Sequence, residues 1–121
     1  MYGISILSCM ASALSEPDGA GLGTLGSYIT AIDYKTGKIA WRHRFPGTGG
    51  GGAQGLLTTA GKLLFGGDLG GNIVAYNPAN GTPLWHSHIG QVTNAPETYM
   101  LDGRQYILIA TGDTLYAFNL Y

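Results

Sequence analysis

Two histidines have the spacing that comes nearest to a metal site in this sequence. His86 and His88 are two residues apart in a predicted strand, so their side chains share one face of a sheet. A zinc site needs at least a third ligand, and neither Cys9 nor His43 can be placed beside the pair from the sequence. We therefore expect both histidines to be solvated and predict no metal site.

The carboxylates show no pattern that would support acid–base catalysis or calcium binding. Most of them fall at predicted turns, where Asp commonly hydrogen-bonds to nearby backbone, and the others are scattered. We therefore predict that none of these carboxylates is a catalytic residue or a metal ligand. The turn positions are Asp33, Asp68, Asp102 and Asp113, and the scattered ones are Glu16, Asp18 and Glu97.

A glycine-rich run at residues 47–55 could bring backbone close to a ligand. It lacks the Lys-Ser/Thr pair of a phosphate-binding P-loop, and no helix is predicted after it. A flexible turn and a ligand contact both remain open for this run. The loop at residues 91–95 would occupy the matching place one repeat later.

Composition excludes several classes of function. Six basic against seven acidic residues leave no positive field for nucleic acid. Cys9 is the single cysteine, so no internal disulfide can form. The apolar residues 2–14 are too few to span a membrane, and no Lys or Arg precedes Lys35, so a signal peptide is not predicted.

The sequence repeats itself with a period of 44 residues. Ala31, Gly37 and Trp41 return as Ala75, Gly81 and Trp85, each 44 positions later. Ala60-Gly61, Asn80-Gly81 and Asp102-Gly103 are hairpin signals between short predicted strands. Four short strands in a fixed repeat are typical of a β-propeller blade, whereas a sandwich would not be expected to repeat its side chains.

The sequence therefore predicts an all-β fold, a partial β-propeller of about two and three-quarter four-stranded antiparallel blades. Closed propellers use about four to eight blades, so this chain cannot close a ring alone. We predict an N-terminal strand or loop from a preceding blade at residues 1–25 and propeller blades at 26–121. The repeat units lie near residues 26–46, 54–90 and 96–121, and the last blade lacks one strand.

The pattern Ala-x-Asp/Asn-x-x-x-Gly-x-x-x-Trp resembles the tryptophan-docking motif of quinoprotein dehydrogenases. It occurs twice, and residues 56–68 and 99–106 also resemble the last blades of PQQ-dependent alcohol and sugar dehydrogenases. Each indole would pack on the neighbouring blade, with Gly providing a turn and room for the ring. Replacing a buried Trp by Ala would cost about 3–5 kcal/mol. The docking residues are Ala31, Gly37, Trp41, Ala75, Gly81 and Trp85.

The resemblance implies PQQ and calcium as cofactors of the full-length family, and a periplasmic location. The family's catalytic Asp, calcium ligands and quinone-side Arg have no counterpart here, so this chain is expected to bind neither cofactor alone. Gly52, Ala53 and Gln54 fall where the family's Trp-Gly-Gly or Trp-Ser-Gly loop contacts the quinone, with Ala53 in place of the Trp. Loss of that indole removes ring surface and an N–H donor.

Two functions remain open. The first is a C-terminal fragment of a PQQ-dependent dehydrogenase, which would oxidise an alcohol or a sugar and would be inactive alone. The second is a non-catalytic propeller scaffold or binding module, similar to the bacterial outer-membrane assembly lipoprotein. The remaining blades of a longer protein, or further copies of this chain, are the expected partners.

Overall fold

The computed structural model describes residues 4–9, 28–44, 55–68 and 70–120. These residues form ten strands and no helix, as predicted for an all-β chain, and no helix suited to crossing a bilayer occurs among them. The strands are β1 (Ile4–Cys9), β2 (Tyr28–Asp33), β3 (Ile39–Arg44), β4 (Leu56–Thr58), β5 (Leu64–Gly67), β6 (Asn72–Tyr76), β7 (Pro83–His88), β8 (Glu97–Leu101), β9 (Arg104–Thr111) and β10 (Thr114–Leu120).

The strands build three antiparallel sheets that correspond to three blades. Blade 1 has the order β1-β2-β3, blade 2 the order β4-β5-β6-β7, and blade 3 the order β8-β9-β10. When the repeats of blades 2 and 3 are aligned in sequence, β10 corresponds to β6. The described part of blade 3 therefore has no strand equivalent to β7. The predicted partial propeller is confirmed.

The N-terminal strand differs from its predicted placement. Residues 1–25 were expected to belong to a preceding blade, whereas β1 pairs with β2 along its whole length, from Ile4 opposite Asp33 to Cys9 opposite Tyr28. The strand therefore lies in the same sheet as the first repeat unit. It occupies the place that β5 has in blade 2.

Blade 2 is buried on both faces because its central strands alternate their side chains between two neighbours. Ile73 and Ala75 of β6 pack toward blade 3, in a cluster with Phe65, Ile107 and Ile109. Val74 and Tyr76 point the opposite way and pack with Ile29 of blade 1 and with Leu64. Burial on both faces explains why β6 reads as a continuous apolar run.

Two of the three predicted hairpin signals have the expected backbone. Asp102 and Gly103 both take positive φ, 50° and 74°, and join β8 to β9 by a two-residue turn. Gly81 also takes positive φ, in a longer turn. In the turn after Thr59 the left-handed residue is Lys62, at φ 61°, and Gly61 does not have positive φ.

Candidate functional site

The turn between β6 and β7 binds an indole from the preceding blade. The turn is closed by Gly81 N–H donating to the Asn77 carbonyl at 2.8 Å, and Asn77 Oδ1 accepts from Ala79 N–H at 2.9 Å. The φ of Gly81 is +74°, a conformation that residues with a side chain rarely adopt. These bonds close the turn that contacts the outer strand of blade 1.

Trp41 of β3 lies on this turn. Its Nε1–H donates to the carbonyl of Pro78 at 2.9 Å, and a Cβ added to Gly81 would come within 2.5 Å of the indole Cε3. No other residue type fits between the turn and the ring without moving one of them. Pro78 was not singled out from the sequence, because a backbone carbonyl leaves no trace in residue types.

The same interface contains two further aromatic side chains. His43 shares a face of β3 with Trp41, and its ring lies 5.2 Å from the ring of Tyr76. Tyr76 is fully buried between blades 1 and 2. Burial raises the pKa of the Tyr76 phenol above its usual range, and the negative charge of Asp68 acts in the same direction.

Asp68 stabilises the tight connection between β5 and β6. Its Oδ1 accepts from Gly70 N–H at 2.9 Å and from Asn72 N–H at 2.8 Å, and its Oδ2 accepts from the Asn72 amide at 2.8 Å. This agrees with the turn role expected for Asp68. Asp33 is also at a turn, where its Oδ1 accepts from Lys35 N–H at 2.9 Å.

The second indole occupies the equivalent position on β7, and the residues that the structure describes in blade 3 include no turn after β10. Trp85 is opposite Ala75 in the sheet, as Trp41 is opposite Ala31. Its ring meets Phe118 of blade 3 edge-on, at 5.5 Å between centroids, and 44% of the residue is exposed. The stability cost expected for losing a buried Trp therefore does not apply to Trp85 in this structure.

Gly37 belongs to the equivalent turn of blade 1. It has φ +70°, and its N–H donates to the Asp33 carbonyl at 2.7 Å, as Gly81 does to Asn77. A Cβ added to Gly37 would meet nothing within 4 Å. The turns of blades 1 and 2 therefore have the same backbone conformation, but of these two glycines it is Gly81 that contacts an indole.

The predicted cofactor-contact residues, Gly52, Ala53 and Gln54, lie outside the described residues. The neighbouring loops that are described contact each other through small apolar groups. A Cβ on Gly55 would come within 2.5 Å of Ala95 Cβ, and one on Gly67 within 2.7 Å of Val92 Cβ. Thr93 donates hydrogen bonds from both its N–H and its hydroxyl to the carbonyl of Ala110.

The described part of these loops shows close backbone packing, and we derive no catalytic step through a cofactor. His86 and His88 are both exposed on β7. Across residues 4–9, 28–44, 55–68 and 70–120, no cluster of three metal-ligating side chains occurs.

Comparison with curated proteins finds relatives among quinoprotein dehydrogenases. The chain is 44% identical over 87 residues to the quinohemoprotein alcohol dehydrogenase of Comamonas testosteroni, covering 69% of this chain and 12% of that enzyme. It is 34% identical over 105 residues to the quinoprotein glucose dehydrogenase of Escherichia coli, covering 70% of this chain and 13% of the enzyme. The chain thus spans about an eighth of the length of these relatives.

Solved structures give the same result for the fold. The crystal structure of the Comamonas testosteroni enzyme superposes with a TM-score of 0.65 and 38% identity, over 72% of this chain and 13% of that one. A europium-containing methanol dehydrogenase superposes with a TM-score of 0.61 and 25% identity, over 71% and 15% of the two chains. The resemblance to quinoprotein dehydrogenase propellers is therefore confirmed.

The strongest assignment comes from a family model that covers blades 2 and 3 and the strands β2 and β3 of blade 1. Residues 25–120 match the PQQ_2 model, whose description is outer membrane protein assembly factor BamB. The match begins just before β2 and ends with β10. The chain therefore belongs to the PQQ_2 family.

Proposed function

We propose that this chain is a set of consecutive blades from a PQQ-dependent alcohol or sugar dehydrogenase. The complete enzyme would oxidise its substrate with PQQ as the electron acceptor, in the periplasm. The chain alone would be inactive and would act as a packing unit for the rest of the propeller. The observation that carries this proposal is the 44% identity to a quinohemoprotein alcohol dehydrogenase across only 12% of that enzyme.

The contacts of the chain support a structural role. Trp41 on the Gly81 turn joins blade 1 to blade 2, and the Phe65 cluster joins blade 2 to blade 3. We propose that Ala31, Gly37, Trp41, Ala75, Gly81 and Trp85 are docking residues that fix the spacing between successive blades. Remaining blades of a longer protein would continue this packing on both sides.

A direct assay tests the absence of independent activity. Purified chain is mixed with PQQ, calcium, an alcohol or glucose, and an artificial electron acceptor whose reduction is followed by absorbance. We expect no turnover above that of the cofactor alone, because no residue here matches the family's catalytic Asp. Turnover at the rate of an intact dehydrogenase would show the proposal to be wrong.

A non-catalytic scaffold is the second candidate. It is favoured by the family match, whose description is an assembly factor, and by Ala53 at the position where the dehydrogenases have Trp. In that case the blades would bind a protein partner or further copies of the chain. Equilibrium sedimentation separates these possibilities, since a scaffold that assembles with itself gives a mass that rises with concentration.

A further inference from the structure

The turn between β6 and β7 contains the pair Asn80-Gly81, and Asn80 is the one asparagine of this chain that is followed by glycine. Such a pair can react with itself, because glycine has no side chain to keep its backbone nitrogen away from the preceding carboxamide. We propose that Asn80 is a site of spontaneous deamidation whose rate is controlled by the contact of Trp41 with this turn. The site is present whichever of the two candidate functions is correct.

The reaction needs only the chain and water. The backbone nitrogen of Gly81 loses its proton and attacks Cγ of Asn80, the new C–N bond closes a succinimide ring, and Nδ2 leaves as ammonia. Water then opens the ring at either of its two carbonyls. Opening at the side-chain carbonyl leaves aspartate, whereas opening at the main-chain carbonyl leaves isoaspartate, in which the main chain runs through Cβ and Cγ.

In the closed turn the attacking nitrogen is not available. The Gly81 N–H donates to the Asn77 carbonyl at 2.8 Å, so the proton that must be removed is held in a main-chain hydrogen bond. Asn80 Oδ1 accepts from Thr82 N–H at 3.0 Å, which fixes the carboxamide. Asn80 is exposed and Gly81 is buried. Water therefore reaches the leaving group but not the nucleophile.

Trp41 covers the glycine that carries this nitrogen. Its Cε3 lies 2.5 Å from the position that a Cβ of Gly81 would take, and its Nε1–H donates to the Pro78 carbonyl at 2.9 Å. The indole thus contacts the turn at two points, and Gly81 can rotate away from Asn77 only if the ring moves as well. Deamidation therefore requires blades 1 and 2 to separate locally at this contact.

The isoaspartate product cannot restore the contact. It lengthens the main chain by one carbon between residues 80 and 81, directly beside the ring that already leaves no room for a Cβ on Gly81. A separation of the two blades that is reversible in the unmodified chain is therefore made permanent by the reaction. The aspartate product keeps the main chain unchanged and should keep the contact.

The pair Asp102-Gly103 provides an internal reference. It can form the same succinimide with loss of water, and it lies in an exposed turn between β8 and β9. A Cβ added to Gly103 would meet nothing within 4 Å, so no ring covers this turn among the residues that the structure describes. Isomerisation of Asp102 should therefore not depend on Trp41.

The test compares the unmodified chain with Trp41→Phe and Trp85→Phe, each in mildly alkaline buffer and in concentrated urea. Trp41→Phe keeps a ring at the contact but removes the donor to Pro78, and Trp85→Phe is the matched removal of the other indole. Mass spectrometry of the chymotryptic peptide that contains Asn80 gives the fraction deamidated with time. Fragmentation of that peptide distinguishes aspartate from isoaspartate.

In buffer, Trp41→Phe is expected to deamidate at Asn80 about tenfold faster than the unmodified chain, the effect of losing one net hydrogen bond from the closed state. Trp85→Phe should match the unmodified chain. In urea all three chains should react at one rate, which should exceed that of the unmodified chain in buffer. Isomerisation of Asp102 in buffer should be the same in all three.

The inference is wrong if the unmodified chain deamidates as fast in buffer as in urea, a comparison that decides even where Trp41→Phe does not fold. Equal acceleration by both Phe variants would assign the effect to a general loss of stability, and no acceleration in a folded Trp41→Phe would show that the indole does not control the turn.

A second measurement tests the permanent separation of the blades. Chains that carry isoaspartate at residue 80 are isolated by ion exchange and compared in urea unfolding with Asn80→Asp, which has the same charge and an unchanged main chain. We expect the isoaspartate chains to unfold at the lower urea concentration. Equal midpoints would show that the lengthened turn still holds Trp41.

Discussion

At the residue scale, two glycines with the same backbone conformation have different surroundings. Gly37 and Gly81 have φ of +70° and +74° and close equivalent turns. A Cβ at Gly37 would enter open space, whereas one at Gly81 would overlap the ring of Trp41. The pair therefore separates the requirement for a left-handed backbone from the requirement for space.

Replacing each glycine by Ala measures these two requirements. Gly37→Ala is expected to lower the free energy of unfolding by about 1–2 kcal/mol, the cost of a left-handed non-Gly residue. Gly81→Ala should cost about 1–3 kcal/mol more, because Trp41 must move. Urea unfolding followed by circular dichroism gives both values. Equal losses in the two variants would show that the indole does not press on the turn.

Because the pKa of Tyr76 is raised in the folded state, the free energy of unfolding should depend on pH in the alkaline range. In the unfolded chain a Tyr phenol ionises near pH 10, whereas in the fold burial and Asp68 keep the proton on Tyr76. The native state therefore retains this proton when the unfolded state has lost it. The contribution is fully present below about pH 10 and is lost progressively as pH rises above it.

We expect Tyr76→Phe to weaken the fall in stability between about pH 10 and 12, because Phe has no proton to lose. The measurement is the urea midpoint as a function of pH. Tyr34→Phe, at an exposed turn, is the matched control for the loss of one Tyr. An alkaline slope that is the same in both variants would contradict the assignment to Tyr76.

At the scale of elements, β3 and β7 carry equivalent tryptophans with unequal contacts. Trp41 has a hydrogen bond to Pro78 and lies on a turn of the next blade, while Trp85 meets Phe118 and is 44% exposed. The difference arises because blade 2 places the β6–β7 turn against Trp41, whereas the described part of blade 3 places the ring of Phe118 against Trp85.

Trp41→Ala is accordingly expected to cost about 3–5 kcal/mol, since it removes a packed ring and leaves the Pro78 carbonyl without its donor. Trp85→Ala should cost about 1–2 kcal/mol in this chain, in proportion to its smaller buried area. Thermal unfolding of the two variants under the same conditions checks the order. A larger loss for Trp85→Ala would place the stronger interface between blades 2 and 3.

The elements themselves could largely be predicted from sequence. The hairpin signals Asn80-Gly81 and Asp102-Gly103 fall at observed turns, because a left-handed backbone favours Gly and so leaves a signal in the sequence. The partner of β1 could not be predicted, since pairing joins residues far apart in sequence without a local signal. The positive φ of Lys62 was not predicted, because the preceding residue, Gly61, adopts such a conformation more easily and was the better candidate.

At the scale of the whole molecule, the sequence predicted the class of fold and its family but not which docking site is filled. Trp41 and Trp85 have the same local pattern, and their burial depends on the blade that follows. The predicted cofactor loop at residues 52–54 lies outside the described residues, so its role stays a prediction. What the three blades establish is a packing unit with a closed core on each face of blade 2.

The placement of Trp41 on the turn of the next blade makes the stabilities of blades 1 and 2 interdependent. Stability in such arrays is close to a sum of unit terms and nearest-neighbour terms, and a nearest-neighbour term belongs to both units equally. A substitution in the β6–β7 turn that displaces the indole would therefore also weaken the outer strand of blade 1, although that strand lies in a different sheet.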